Sequence, residues 1–201
     1  MDPRARVIVG GLALFNPPRT MDEIEFLERM YLHRPELRGA LAGIALHPYQ
    51  ESLPDTFMRL ARFRTALDRF DSPAVPIEIT EVGWPTTKVS ESERAVDLGT
   101  LARVLPRSDC NIDRFLPYTW VTSERDPANA EDWFGIWNRD GSPKQSGAAY
   151  LSAVRLMRRA VPSSLPAPRL AICHPGLVPA ASTIRSSNSM PASIERRSGH
   201  D

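Results

Sequence analysis

Four short apolar runs return along this chain at nearly constant spacing, and that rhythm restricts the fold more than any other feature. Arg6 to Leu14 (RVIVGGLAL), Leu41 to Leu46, Val75 to Val82 (VPIEITEV) and Arg114 to Val121 (RFLPYTWV) read as buried strands. Each is followed by a helical stripe. Ile24, Leu27 and Tyr31 mark a helix over Asp22 to Leu32, and Phe57, Leu60, Phe63, Leu67 and Phe70 mark one over Pro54 to Phe70. Glu91 to Leu105 is a third helix, and Gln145 to Arg159, with Ala148, Leu151 and Val154 on one side, is the fourth. With strand centres near Ile8, Ile44, Ile79 and Pro117, the units lie 36, 35 and 38 residues apart. That is the length of a strand, a crossover helix and two loops, so the fold class is α/β with parallel strands. Four such units make half of a (β/α)8 barrel, which as a whole needs about 250 residues. A doubly wound open sheet has the same alternation, and periodicity alone leaves both open.

The pattern stops after the last helix. Residues 162–201 contain no aromatic residue and are dense in Ser, Pro and Ala, so they offer too little apolar surface to offset ordering entropy. We therefore expect a folded domain over 1–161 and a disordered, low-complexity tail over 162–201. A net charge of +1 gives no field to hold nucleic acid or an anionic membrane, and no run of about 18 apolar residues exists to span a bilayer. The opening MDPRARVIVGG lacks the apolar stretch of a signal peptide, which leaves localisation open. Cys110 and Cys173 are too few for a disulfide framework or a thiolate metal site, and Cys173 falls in the tail.

In parallel α/β folds the chemistry sits at the C-terminal ends of the strands. Those ends are Asn16, His47-Pro48-Tyr49, Thr80-Glu81-Val82-Gly83-Trp84-Pro85-Thr86 and Tyr118-Thr119-Trp120. Three of the four carry aromatic rings, the planes that sugar C–H faces stack on. Strict alternation puts Ile77, Ile79 and Glu81 on one face, so isoleucines filling a barrel interior would deliver the carboxylate to its mouth, with Glu78 turned toward the helices. From the residues alone, Glu81 also reads as a surface ion-pair partner, His47 as a satisfied core histidine, and Trp84, Tyr118, Trp120 and Trp133 as core rings. Glu124, Asp126 and Asp132 lie in the loop after the last strand, and Asn138-Arg139-Asp140-Gly141 reads as a turn. No metal-ligand spacing, glycine-rich phosphate loop or Ser-His-Asp ordering stands out, so no cofactor is expected.

The segment Thr80 to Thr86 resembles the T-E-x-G-W-P pattern that ends strand seven of the clan-A retaining (β/α)8 glycoside hydrolases. Ala45 to Tyr49 (ALHPY) is similar to the clan's strand-six ending, and PYTW with the later WFGIWNRDGSPKQSGAAY resembles its strand-eight region. The resemblance spans roughly Arg4 to Arg159 and identifies the chain with strands five to eight, the C-terminal half of such a barrel. It implies that Glu81 is the catalytic nucleophile of a retaining glycosidase. It further implies that His47 and Tyr49 bond the nucleophile or sugar hydroxyls, and that Trp120 is the floor of the reacting subsite, with Trp84 and Tyr118 lining the cleft.

The clan's acid/base glutamate ends strand four, which has no counterpart in these 201 residues. A chain without it should lose much of the roughly 100- to 10,000-fold that general acid catalysis contributes. Two open parallel edges would also favour self-association or docking of a separately encoded N-terminal half, though a shortened gene product ranks first. The substrate class implied is a β-linked glycoside or polysaccharide. TEVGWPT is also similar to endo-β-1,3-glucanases, from which Lys88 departs. The alternative is a non-catalytic carbohydrate-binding remnant.

Overall fold

The computed structural model describes residues 5–13, 21–159 and 169–175. Its four strands are β1 (Ile8–Leu12), β2 (Gly43–Leu46), β3 (Ile77–Val82) and β4 (Ile112–Pro117), all parallel in the order β1-β2-β3-β4. The helices are α1 (Glu23–His33), a single-turn α2 (Leu37–Ala40), α3 (Leu53–Arg69), α4 (Glu91–Val104) and α5 (Gln145–Arg159). Sequential strand order is what a barrel segment has, whereas a doubly wound sheet reverses direction partway. The sheet is therefore four βα units in barrel order.

Local chemistry sets the helix starts. Asp22 caps α1 by accepting from the N–H of Ile24 and Glu25, and Ser52 caps α3 through the N–H of Asp55, with Pro54 in the first turn. Ser90 and Glu93 form a reciprocal capping box on α4. Among the described residues no helix is long and apolar enough to cross a membrane.

The last strand differs from expectation. It spans Ile112–Pro117 rather than Arg114 to Val121. Pro117 has no N–H to extend the ladder, and after Tyr118 donates its N–H to Val82 O at 2.8 Å the chain leaves the sheet. Thr119 and Trp120 then pair with the later loop, their carbonyls accepting from Ile136 and Trp137 N–H.

Register decides which face meets the helices. Ile79 lies beside Phe115, whose ring makes an edge contact with Tyr150 of α5 at 5.8 Å between centroids. Ile44, Leu46, Ile77 and Ile79 are fully buried in one cluster with Leu60, Phe63 and Leu67 of α3 and Leu98 and Leu101 of α4. The isoleucines thus face the helical layer, which corrects the expectation that they fill a barrel interior. Glu78 lies on the opposite face, not toward the helices. There its carboxylate meets Arg6 at 3.5 Å and Arg114 at 3.7 Å.

Within the segment expected to be disordered, residues 169–175 are docked against the base of the sheet; the rest of 162–201 lies outside the described residues. Leu170 exchanges backbone hydrogen bonds with Arg107 and Asp109, and Cys173 forms a disulfide with Cys110, closing a loop with a sequence separation of 63. The two cysteines, set aside in the sequence, therefore act as a staple. Asp109 accepts the N–H of Ile172, Cys173 and His174 at 2.9, 2.7 and 2.9 Å. His174 bridges Asp68 and Asp109 through its two ring nitrogens, at 2.8 and 3.2 Å. This covers apolar Ile172 and Cys173 with a fully bonded turn, which composition over forty residues could not reveal.

Closing a loop of this length is worth about 2–4 kcal/mol. Cys110→Ser or Cys173→Ser should lower unfolding free energy by about that amount in urea titrations. The histidine adds a pH dependence of defined sign. Hydrogen bonding to Asp68, followed by that to Asp109, raises the His174 pKa above its ordinary 6.5. Its contribution is complete below about pH 6.5 and lost as pH rises through the folded value. Thermal midpoints should fall from about pH 6 to about pH 9, and His174→Ala should flatten that slope.

Candidate active site

A register shift in β3 aims the central carboxylate. Ile79 pairs with Phe115 and Val82 with Pro117, so three steps along β3 match two along β4. The extra residue lies at Thr80-Glu81 and breaks the alternation that would have sent Glu81 to the helices. Both residues consequently reach the same imidazole: His47 Nε2 is 2.9 Å from Thr80 Oγ1, and His47 Nδ1 is 3.3 Å from Glu81 Oε2. Tyr49 OH donates to Glu81 Oε2 at 3.0 Å. The carboxylate does reach the mouth, by a bulge rather than by alternation.

Glycines make room for this arrangement. A Cβ on Gly11 of β1 would lie 2.1 Å from His47 Nε2, so the imidazole takes the space a side chain would fill. A Cβ on Gly83 would lie 2.3 Å from Tyr118 O, and only glycine lets the ends of β3 and β4 close this tightly.

Glu81 opens into a cleft of about 960 Å³ whose walls include Tyr49, Trp84, Tyr118 and Phe134, with Glu51, Arg59, Lys88 and Glu131 as further charged groups. Tyr49, Tyr118 and Phe134 meet edge to face, with centroids 5.3 to 6.1 Å apart. The Glu81 side chain is 37 % exposed, enough to meet a ligand. Trp84 is buried, donates Nε1–H to Gln50 O at 2.9 Å, and gives the cleft only part of its ring. Tyr118 OH donates to Glu131 Oε2 at 3.0 Å, which sets a second carboxylate on the same wall. Trp120 stands outside this lining. It is 55 % exposed and stacks on Trp137 at 3.7 Å and 14°. Trp133 also lies outside the lining, its Nε1–H donated to Asp126 O. Asn16 falls outside the described residues.

The irregular walls are held by buried arginines that the sequence reading passed over. Arg94 of α4, fully buried, donates to the carbonyls of Trp84 at 3.3 Å, Trp133 at 2.9 Å and Gly135 at 2.9 Å, and pairs with Glu91. It joins the loop after β3 to the loop after β4. Burial lowers its pKa, and Glu91 opposes that shift. Arg59 of α3 donates Nη1–H to Tyr49 O at 3.2 Å. Its signal was present: Arg59 sits four residues before Phe63 on the apolar stripe of α3, where a charge needs a buried partner.

Electrostatics around the phenols follow from this packing. Burial raises the Tyr49 pKa far above its ordinary value, and the Glu81 charge and hydrogen bond add to the shift. Burial also raises Tyr118, with help from Glu131. Among the described residues, Asp109, Cys110 and Cys173 come within metal-ligand distance of one another, but both sulfurs are spent in the disulfide.

No family model and no curated protein matches this chain. Solved structures do. A family 39 glycoside hydrolase from Bacteroides cellulosilyticus WH2 superimposes with a TM-score of 0.50 at 21% identity, over 65% of this chain and 30% of its own. A GH5_18 protein from Streptomyces cattleya, solved with GlcNAc, gives 0.51 at 22%, over 65% and 33%. A glucosidase from Croceicoccus marinus gives 0.50 at 19%, over 63% and 28%. The shared fold is part of a TIM barrel. The chain spans about a third or less of each neighbour's length.

A phenol placed like Tyr49 stays protonated in ordinary alkali. Tyr49→Phe should leave the phenolate absorbance gained up to about pH 11 unchanged, because Tyr49 contributes none of it. Loss of one tyrosine equivalent would contradict the buried contact with Glu81.

Proposed function

We propose that this chain carries the nucleophile of a retaining glycoside hydrolase acting on a β-linked glycoside or polysaccharide, and that Glu81 is that nucleophile. One observation supports this above the rest. Glu81 Oε2 accepts the Tyr49 hydroxyl beside His47, Oε1 makes no hydrogen bond to a described residue, and the side chain lines an aromatic-walled cleft. Fixing one oxygen leaves the other oriented for attack.

In the reaction, a Glu81 oxygen forms a bond to the anomeric carbon as the glycosidic C–O bond breaks. The departing oxygen takes the electron pair and is protonated by a second carboxylic acid, which we place on a strand outside these four units. Water then cleaves the glycosyl ester with retention. Tyr49, Trp84 and Tyr118 are the sugar-facing groups from the cleft wall. His47 holds the nucleophile from behind, and Trp120, stacked on Trp137 and 55% exposed, offers ring surface for stacking outside the cleft lining. Similarity to barrels of glycoside hydrolases supports the class of fold on which this chemistry is commonly built.

The experiment is intact-mass analysis after incubation with 2,4-dinitrophenyl 2-deoxy-2-fluoro-β-glycosides of glucose, mannose and xylose. Their leaving group needs no proton donor, so an acid from outside these four units is not required. One glycosyl adduct on Glu81 is expected, and none on Glu81→Gln. Absence of any adduct together with measurable oligosaccharide binding would favour a non-catalytic carbohydrate-binding remnant.

A further inference from the structure

Two buried charges stand at the back of the cleft, Arg59 within its lining and Glu23 beyond it, without a part in the chemistry above. Arg59 of α3 donates Nε–H to Glu23 Oε1 of α1 at 3.1 Å, with side chains 6% and 2% exposed. Such a pair rarely repays its desolvation. This one is also incomplete: Glu23 Oε2 and Arg59 Nη2 have no hydrogen-bond partner among the described residues. A pair kept for packing alone would be better replaced by apolar side chains of similar volume.

What the pair holds is a backbone atom. Residues 47–50 belong to no strand or helix, and two of their carbonyls, those of Tyr49 and Gln50, accept from side-chain donors. Arg59 Nη1 donates to Tyr49 O at 3.2 Å, and Trp84 Nε1 donates to Gln50 O at 2.9 Å. The same Tyr49 donates its hydroxyl to Glu81 Oε2 at 3.0 Å. Glu23, Arg59, Tyr49 and Glu81 therefore form one contact chain from α1 through α3 to the carboxylate.

We propose that Arg59, braced by Glu23, is a positioning residue that fixes the Tyr49 hydroxyl against Glu81. This rests on the role proposed for Glu81. Arg59 also lines the back of the cleft, but its hydrogen bonds among the described residues run to Glu23 and to Tyr49 O and not to Glu81, so any effect on the carboxylate passes through Tyr49. Displacing a hydrogen-bonding group by about 1 Å costs up to about 100-fold in rate.

The test uses the full chain and whichever 2,4-dinitrophenyl 2-deoxy-2-fluoro-β-glycoside labels it. In that step a Glu81 oxygen bonds to the anomeric carbon and dinitrophenolate departs with the electron pair. The inactivation rate constant should fall between about 10- and 100-fold in Arg59→Met, with the inhibitor dissociation constant changed less than about twofold. Arg59→Lys, which keeps a donor, should recover part of the rate. Arg59→Met added to Tyr49→Phe should bring no further loss. Multiplying losses, or an unchanged rate in Arg59→Met at an unchanged thermal midpoint, would overturn the proposal.

A second readout needs no turnover. A downfield hydroxyl proton resonance that vanishes in both Tyr49→Phe and Glu81→Gln reports the phenol–carboxylate contact. It should shift or vanish in Arg59→Met. If no glycoside labels the wild type, the role of Glu81 as nucleophile fails; an unmoved resonance in Arg59→Met instead defeats the positioning role.

Discussion

Because Thr80 and Glu81 together oppose a single step of β4, β3 loses its two-residue alternation just where it leaves the sheet. The side chains before that point obey the pleat, with Ile77 and Ile79 among the helices and Glu78 on the other face. The side chains at the shift do not, and a hydroxyl and a carboxylate both come to rest on His47. The contact with Tyr49, the opening into the cleft and the closeness of β3 to β4 at Gly83 all follow from this one irregularity. Regular pairing builds the platform, and a defect in it presents the reactive group.

Regular parts were legible in the sequence for a simple reason: helices and parallel strands impose periods on apolar residues. The α3 stripe of Leu60, Phe63 and Leu67 and the β3 run of isoleucines are buried as their spacing requires. The strand ends were legible too, since His47, Tyr49, Glu81, Trp84 and Tyr118 do gather at one end of the sheet. Bulges leave no periodic trace, because one additional residue is invisible without the partner strand. The face assigned to Ile79 was wrong on that account, although the destination of Glu81 was right. Trp120 shows a different limit, since a residue's place in a motif says nothing about whether a second tryptophan will cover its ring.

Buried arginines form the least legible layer. Arg59 and Arg94 spend their donors on carbonyls of segments that have no ladder of their own. A guanidinium suits this work because its five N–H groups fan out in one plane and reach several carbonyls at once. Lysine, a point donor on a flexible stem, could not join the walls on either side of the cleft in the same way. The cleft is thus shaped by helix residues at its back, Arg59 at the edge of its lining and Arg94 outside it.

The bond between Cys110 and Cys173 has a topological result at some distance from the base where it lies. Everything from Asn111 through Ile172, and so Tyr118, Glu131 and Phe134, hangs on a covalently closed ring, while Tyr49 and Glu81 lie on the open part of the chain. One wall of the cleft belongs to the ring and the other does not. A protease that nicks the exposed turn near Asp126 would leave a molecule of undiminished mass, apart from one added water, whose two pieces separate only under thiol.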